Sequence, residues 1–170
     1  MDYKSLIREV PDFPKQGILF YDVTTLLKDR EAFTSIIGDL TALYTTQNVA
    51  KIVGIESRGF ILGAPLAHQL GAGFVPVRKP GKLPAETIEA TYTLEYGANT
   101  LAVHRDAIMP GERVLIVDDL LATGGTAAAT VDLVRRLGGD VVGVAFLVEL
   151  LFLKGRTKLD GCEIQTLIQY

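Results

Sequence analysis

The run Val114-Leu-Ile-Val-Asp-Asp-Leu-Leu-Ala-Thr-Gly-Gly-Thr126 restricts the fold more than any other part of this chain. Residues 114–117 are apolar and rich in Val and Ile, the composition of a buried strand. Two adjacent carboxylates, Asp118 and Asp119, are expected at the C-terminal end of that strand. A turn of small and hydroxyl residues follows, Ala122, Thr123, Gly124, Gly125 and Thr126, and then an Ala-rich helix over 126–137. A strand over 141–148 completes a β-α-β unit. Alternation of that kind argues for an α/β fold with a doubly wound, mainly parallel sheet and helices on both faces.

In an open α/β sheet, ligands bind outside the carboxyl ends of the strands. A Gly-rich turn leading into a helix offers unpaired N–H groups and the positive end of a dipole, which suits a phosphate. Carboxylates beside it accept hydrogen bonds from ribose hydroxyls. The residues therefore describe a sugar-phosphate site. A nucleotide-hydrolysing P-loop would need a Lys after the last Gly. Here Gly125 is followed by Thr126, and no Lys occurs between Lys82 and Lys154. A dinucleotide fingerprint fails too, since Gly71-Ala-Gly73 runs into Phe74-Val75-Pro76. Ser57 has Ile55 two residues before it, so it is no nucleophile elbow, and His68 and His104 have no acid partner nearby in sequence.

The run resembles the phosphoribosyl-pyrophosphate (PRPP) motif of the type I phosphoribosyltransferases. Four further segments narrow the likeness: Phe13-Pro-Lys-Gln-Gly-Ile-Leu-Phe20, Glu56-Ser-Arg-Gly-Phe60, Arg78-Lys-Pro-Gly-Lys-Leu-Pro84 and Leu94-Glu-Tyr-Gly97. Their order and spacing are similar to those of the adenine phosphoribosyltransferases, and the resemblance runs from about Val10 to Tyr170. It implies a single domain over 1–170, with 1–28 an N-terminal arm or hood at the base site and a β-hairpin lid loop. It also implies transfer of the 5-phosphoribosyl group from PRPP to adenine, giving AMP and pyrophosphate.

The resemblance assigns roles residue by residue. Asp118, Asp119 and the turn from Ala122 to Thr126 would take the ribose and its 5′-phosphate. Ser57 and Arg58 would hold pyrophosphate, with Lys79 and Lys82 bringing further charge; read alone, a run of cations with Arg78 could also be a solvated loop. Arg58 has its own support, since it follows a strand predicted over 52–55 and its fork matches two phosphate oxygens. Phe20 would stack on adenine, with Leu19 and Tyr21 reading its edge through the backbone and Leu120 on the opposite face. Without the resemblance, Phe20 reads as ordinary core. Tyr21 departs from the family, which usually has Arg there. Glu95 matches the family's acid–base residue; on sequence alone it is equally a solvated hairpin carboxylate. Magnesium would come with PRPP, held mainly by substrate oxygens and water, with no dedicated protein ligands. Homodimers are usual in the family.

Composition closes off other classes. With 170 residues the chain can bury a proper core. A net charge of −3 disfavours a dedicated nucleic-acid binder. Cys162 is the only cysteine, so no intrachain disulfide forms, which suits a reducing cytoplasm. No run approaches the ~18 apolar residues of a membrane span, and the polar start Met1-Asp-Tyr-Lys4 lacks a signal-peptide pattern. Transferases for hypoxanthine, guanine or xanthine remain the alternatives within the class, and a PRPP-sensing regulator the one outside it.

Elsewhere, the spacing of Phe33, Ile36, Ile37, Leu40 and Leu43 predicts an amphipathic helix over 29–44. A helix over 58–70 must accommodate Pro65. A strand is expected over 74–77, an exposed loop over 79–90, and a hairpin pairing 91–96 with 100–104.

Overall fold

The computed structural model describes residues 1–94 and 97–170. They form two compact units, Met1–Asp39 and Leu40–Tyr170. In the first, β1 (Arg8–Pro11) pairs antiparallel with β2 (Leu19–Asp22). The connection is tied by Gly17 N–H donating to Asp12 Oδ1 at 2.7 Å and Phe13 N–H to Ile18 O at 3.2 Å. Gly17 has φ +86°, a conformation that favours glycine. A short α1 (Thr24–Leu27) precedes α2 (Arg30–Tyr44). Asp29 closes the first turn of α2 by accepting from Ala32 N–H at 2.9 Å. The border between the units falls within α2.

The second unit continues with β3 (Lys51–Ile55), α3 (Arg58–Leu70), β4 (Gly73–Val77), β5 (Thr87–Leu94) and β6 (Gly97–His104). It ends with β7 (Arg113–Leu121), α4 (Gly125–Arg136), β8 (Asp140–Glu149) and β9 (Ile164–Gln169). Five strands make a parallel sheet in the order β4-β3-β7-β8-β9. From β3 the chain steps outward to β4, and from β7 it steps the opposite way to β8. Right-handed crossovers therefore place α3 and α4 on opposite faces. Side-chain alternation agrees. A Cβ at Gly63 of α3 would meet Phe74 and Ile52, while Val53, Ile116 and Phe146 share a core with Val131 and Val134 of α4. α3 runs through Pro65 without ending there.

Three sequence expectations need correction. The strand expected over 114–117 runs on through both acids to Leu121, because β8 keeps pairing with it at Asp118–Phe146, Leu120–Val148 and Leu121–Glu149. The hairpin starts at Thr87, inside the stretch expected to be loop. Ile88, Ala90 and Tyr92 alternate toward the core, and Ala90 is buried. The third correction concerns β9, which had not been expected as a strand; its mixed Gln and Thr content hides a strand that pairs with β8.

Candidate active site

β3 and β7 are parallel neighbours from which the chain steps outward in opposite directions, and the border between them is a topological switch point, where α/β sheets open a crevice for ligands. The register shows how it opens. β3 pairs with β7 only as far as Gly54–Val117, whereas β7 continues, bonded to β8 alone. Asp118 and Asp119 stand on that stretch, beyond the reach of β3.

From the other lip comes Arg58, the first residue of α3. Its Nε lies 2.6 Å from Asp119 Oδ2 in an ion pair. Asp118 Oδ1 accepts from the Asp119 N–H at 2.9 Å. Gly59 permits this closeness: a Cβ there would lie 2.7 Å from Val117 O and 3.1 Å from Asp118 Oδ1. Ser57 precedes Arg58 at the exposed start of α3, after a cis Glu56–Ser57 peptide bond. Burial, and then the charge of Asp119, push the Asp118 carboxyl well above its usual range. Burial raises Asp119 too, with the Arg58 guanidinium working against it.

The turn from Ala122 to Thr126 follows at once. Gly124, with φ +80°, caps α4 without a side-chain bond. The first helical bond runs from Ala128 N–H to Gly124 O, so the N–H groups of Gly125, Thr126 and Ala127 precede the helical ladder. No acidic residue occupies the first turn. A cavity of about 70 Å³ lies here, lined by the turn together with Asp118, Leu120 and Phe146. Donors aimed out of a helix start, beside two carboxylates and a guanidinium, can bind a phosphorylated sugar and a second anionic group.

Those features coincide with the comparisons. Residues 23–160 match the phosphoribosyl transferase domain family. A curated adenine phosphoribosyltransferase of Acidobacterium capsulatum is 60% identical over 98% of this chain and 92% of its own length. The chain belongs to the phosphoribosyltransferase family, in its adenine phosphoribosyltransferase branch. The crystal structure of such an enzyme from Thermoanaerobacter pseudethanolicus superimposes with a TM-score of 0.96 at 55% identity, over 99% of this chain and 98% of that one. One from Saccharomyces cerevisiae, complexed with an imino-altritol bisphosphate and adenine, gives 0.90 at 42% identity, over 96% and 94%.

Other residues expected of a phosphoribosyltransferase fall as follows. Lys79 and Lys82 are exposed on the turn after β4. Lys79 N–H donates to Glu56 Oε2 and Arg78 Nη2 to Glu56 Oε1, both at 2.9 Å, while Arg78 Nη1 donates to Lys82 O at 3.2 Å. The Arg78 bond holds the Glu56 carboxyl below its ordinary range. Leu120 lies on β7 beside the 122–126 turn. Leu19, Phe20 and Tyr21 are on β2 of the first unit, where the Phe20 ring meets Phe13 edge-on at 5.1 Å. Glu95 lies outside the described residues.

Sequence reasoning assigned no role to Glu56, Gly155 or Tyr92. Glu56 was visible, next to Ser57, but only the fold brings Arg78 and Lys79 to it. Gly155 backs the 122–126 turn: a Cβ on Gly124 would lie 2.3 Å from Gly155 O, and one on Gly155 would lie 2.3 Å from Ala122 O. Arg156, the next residue, forms a two-pronged pair with buried Glu149 at 2.6 and 2.8 Å. Nothing local in the sequence signals that contact.

Proposed function

We propose that this chain transfers the 5-phosphoribosyl group of PRPP to adenine, releasing pyrophosphate and giving AMP. The observation that carries the reading is the Arg58–Asp119 ion pair at the switch point, together with a start of α4 that has no side-chain cap bond. It joins an anion-binding guanidinium, a ribose-binding carboxylate and a phosphate cradle in one crevice.

In the reaction, a ring nitrogen of adenine bonds to the anomeric carbon as the bond to pyrophosphate oxygen breaks, and the nitrogen's proton must leave. Positive charge grows on the sugar and negative charge on the leaving group. Gly124, Gly125 and Thr126 fix the 5′-phosphate, with Ala122 and Thr123 shaping the turn. Asp118 and Asp119 accept from the ribose hydroxyls and orient the ring. Arg58, Ser57, Lys79 and Lys82 take the departing pyrophosphate. By the family's pattern, Phe20 stacks on the base with Leu19 and Tyr21 reading its edge through backbone groups, and Leu120 is a further base contact. Glu95 serves as acid and base near the purine.

Magnesium fits this donor set. The crevice offers two adjacent carboxylates, Asp118 and Asp119, with Asp119 already paired to Arg58, so the ion would be held chiefly by substrate oxygens and water. Bound there, it would neutralise pyrophosphate charge. The enzyme works as a homodimer, for which the exposed run Leu151, Phe152 and Leu153 offers apolar surface, and sedimentation tests this. A single cysteine suits the cytoplasm.

Pyrophosphate release from PRPP, measured with each purine in turn, tests the whole reading. Adenine should support turnover while guanine, hypoxanthine and xanthine are poor. Comparable turnover with guanine would reassign the base, and no turnover with any purine would leave a PRPP-binding regulator. Glu95→Gln should lower kcat by ~10²–10⁴-fold, the usual range for a positioned proton-transfer group, with little change in PRPP binding.

A further inference from the structure

Tyr92 belongs to β5, and its hydroxyl lies 2.9 Å from Thr126 Oγ1, in the first turn of α4. Its ring packs where a side chain on Gly125 would go: a Cβ there would meet Tyr92 Cδ2 at 3.0 Å. At the other end of the helix, Arg136 Nη1 donates to Glu89 O of the same strand at 2.7 Å. β5 is thus laid along α4 and fastened near both ends, with Tyr92 at the end that carries the phosphate turn.

We propose that Tyr92 is a positioning residue for the 5′-phosphate, acting through the Thr126 hydroxyl. The inference rests on the reading of 122–126 as the phosphate cradle. A threonine hydroxyl has one hydrogen to give and lone pairs to receive. With the cradle empty, either oxygen of the Tyr92–Thr126 pair can be the donor. A phosphate dianion draws the Thr126 hydrogen to itself, so Tyr92 must then donate into Thr126 Oγ1. The result is a relay from Tyr92 O–H to Thr126 O–H to phosphate oxygen, in which each bond polarises the next. Tyr92 fixes the direction of the threonine hydroxyl without touching the substrate. It stands three positions before Glu95 in the chain, so the same strand holds the phosphate end and leads to the acid assigned to the base.

Tyr92→Phe removes the hydroxyl and keeps the ring against Gly125. It should raise KM for PRPP, and for AMP in the reverse reaction, by about 3- to 10-fold, the ordinary net worth of one hydrogen bond. KM for adenine and for pyrophosphate should not change, since neither carries a 5′-phosphate. Thr126→Val should raise the same two constants, and adding Tyr92→Phe to it should have no further effect. If Thr126→Val raises them and Tyr92→Phe does not, or if the two effects are additive, the relay is wrong. A rise in all four constants with Tyr92→Phe would likewise overturn it, leaving the ring's packing as the cause. If Thr126→Val leaves PRPP and AMP untouched, the cradle itself is misassigned and the relay falls with it.

Discussion

Arg58 Nε and Asp119 Oδ2 form an ion pair at 2.6 Å, linking the first residue of α3 to the stretch of β7 that runs past β3. Asp119 is buried and Arg58 is partly open to solvent. Removing the cation alone leaves a buried carboxylate without its partner. Arg58→Ala should therefore destabilise the fold by roughly 1–2 kcal/mol, less than a fully buried pair because solvent screens the guanidinium. Adding Asp119→Asn should restore most of that loss, while neither single variant retains full turnover. Thermal unfolding of the two singles and the double checks the coupling, and purely additive losses would show that the pair contributes nothing to the fold.

Asp118 offers a second test, because its carboxyl is raised in the folded protein by burial and by Asp119. A raised acid favours folding while it is protonated, and that contribution is lost as pH climbs through the folded value. At neutral pH the ionised group is a cost kept for function. Asp118→Asn should thus raise Tm at pH 7 by about 2–4 °C per kcal/mol relieved, and weaken PRPP use. The gain should shrink as pH falls toward the ordinary carboxylate range. Denaturation curves from about pH 4, near the usual Asp value, up to about pH 8 would expose an unchanged difference if the sign is wrong.

Gly155 and Gly124 each occupy the place where the other's side chain would go. Gly155→Ala should push the phosphate turn out of position. KM for PRPP should rise at least about tenfold, with a loss of stability of about 1–3 kcal/mol, as for other overpacked sites. Gly38 in α2 makes a useful control. Nothing lies within 4 Å of its added Cβ, so Gly38→Ala should stabilise by about 0.5–1 kcal/mol and leave KM alone. Equal behaviour of the two alanine variants would remove Gly155 from the site.

Amide hydrogen exchange should divide the segment after β4 into two parts. Residues 87–94 form a strand packed on α4, so their amides are protected before substrate arrives. Residues 79–86 carry Lys79 and Lys82 and few apolar anchors; they should gain protection when PRPP and a base analogue bind. Equal exchange over 79–86 in both states would leave that turn without a closing role.

What the sequence revealed and what it hid divide along physical lines. Strong periodicity at Val114–Val117 and at Phe33, Ile36 and Leu40 made the β-α-β core and α2 legible. The Asp118–Thr126 run was legible too, because its chemistry is local. β5 was misjudged at its start, since Lys, Pro and Gly over 79–84 read as loop and masked the alternation of Ile88, Ala90 and Tyr92. β9 was hidden because Gln165 and Gln169 break any apolar pattern. Glu56, Tyr92 and Gly155 owe their places to partners far away in the chain, and a linear reading has no access to such distances.

The acids of the crevice belong to a hydrogen-bonded strand rather than to a loop, and this bears on how a ligand is met. Asp118 and Leu120 sit in register with Phe146 and Val148, so the backbone beneath the carboxylates is held from one side before anything binds. Ordering there was completed during folding, and a sugar phosphate arriving at this wall finds little left to freeze. The turn that carries Lys79 and Lys82, both exposed, is where entropy would still be spent. Calorimetry on the two halves of the substrate would read the crevice as a rigid anvil facing a soft clamp: ribose 5-phosphate binding with a small ordering cost, pyrophosphate with a large one.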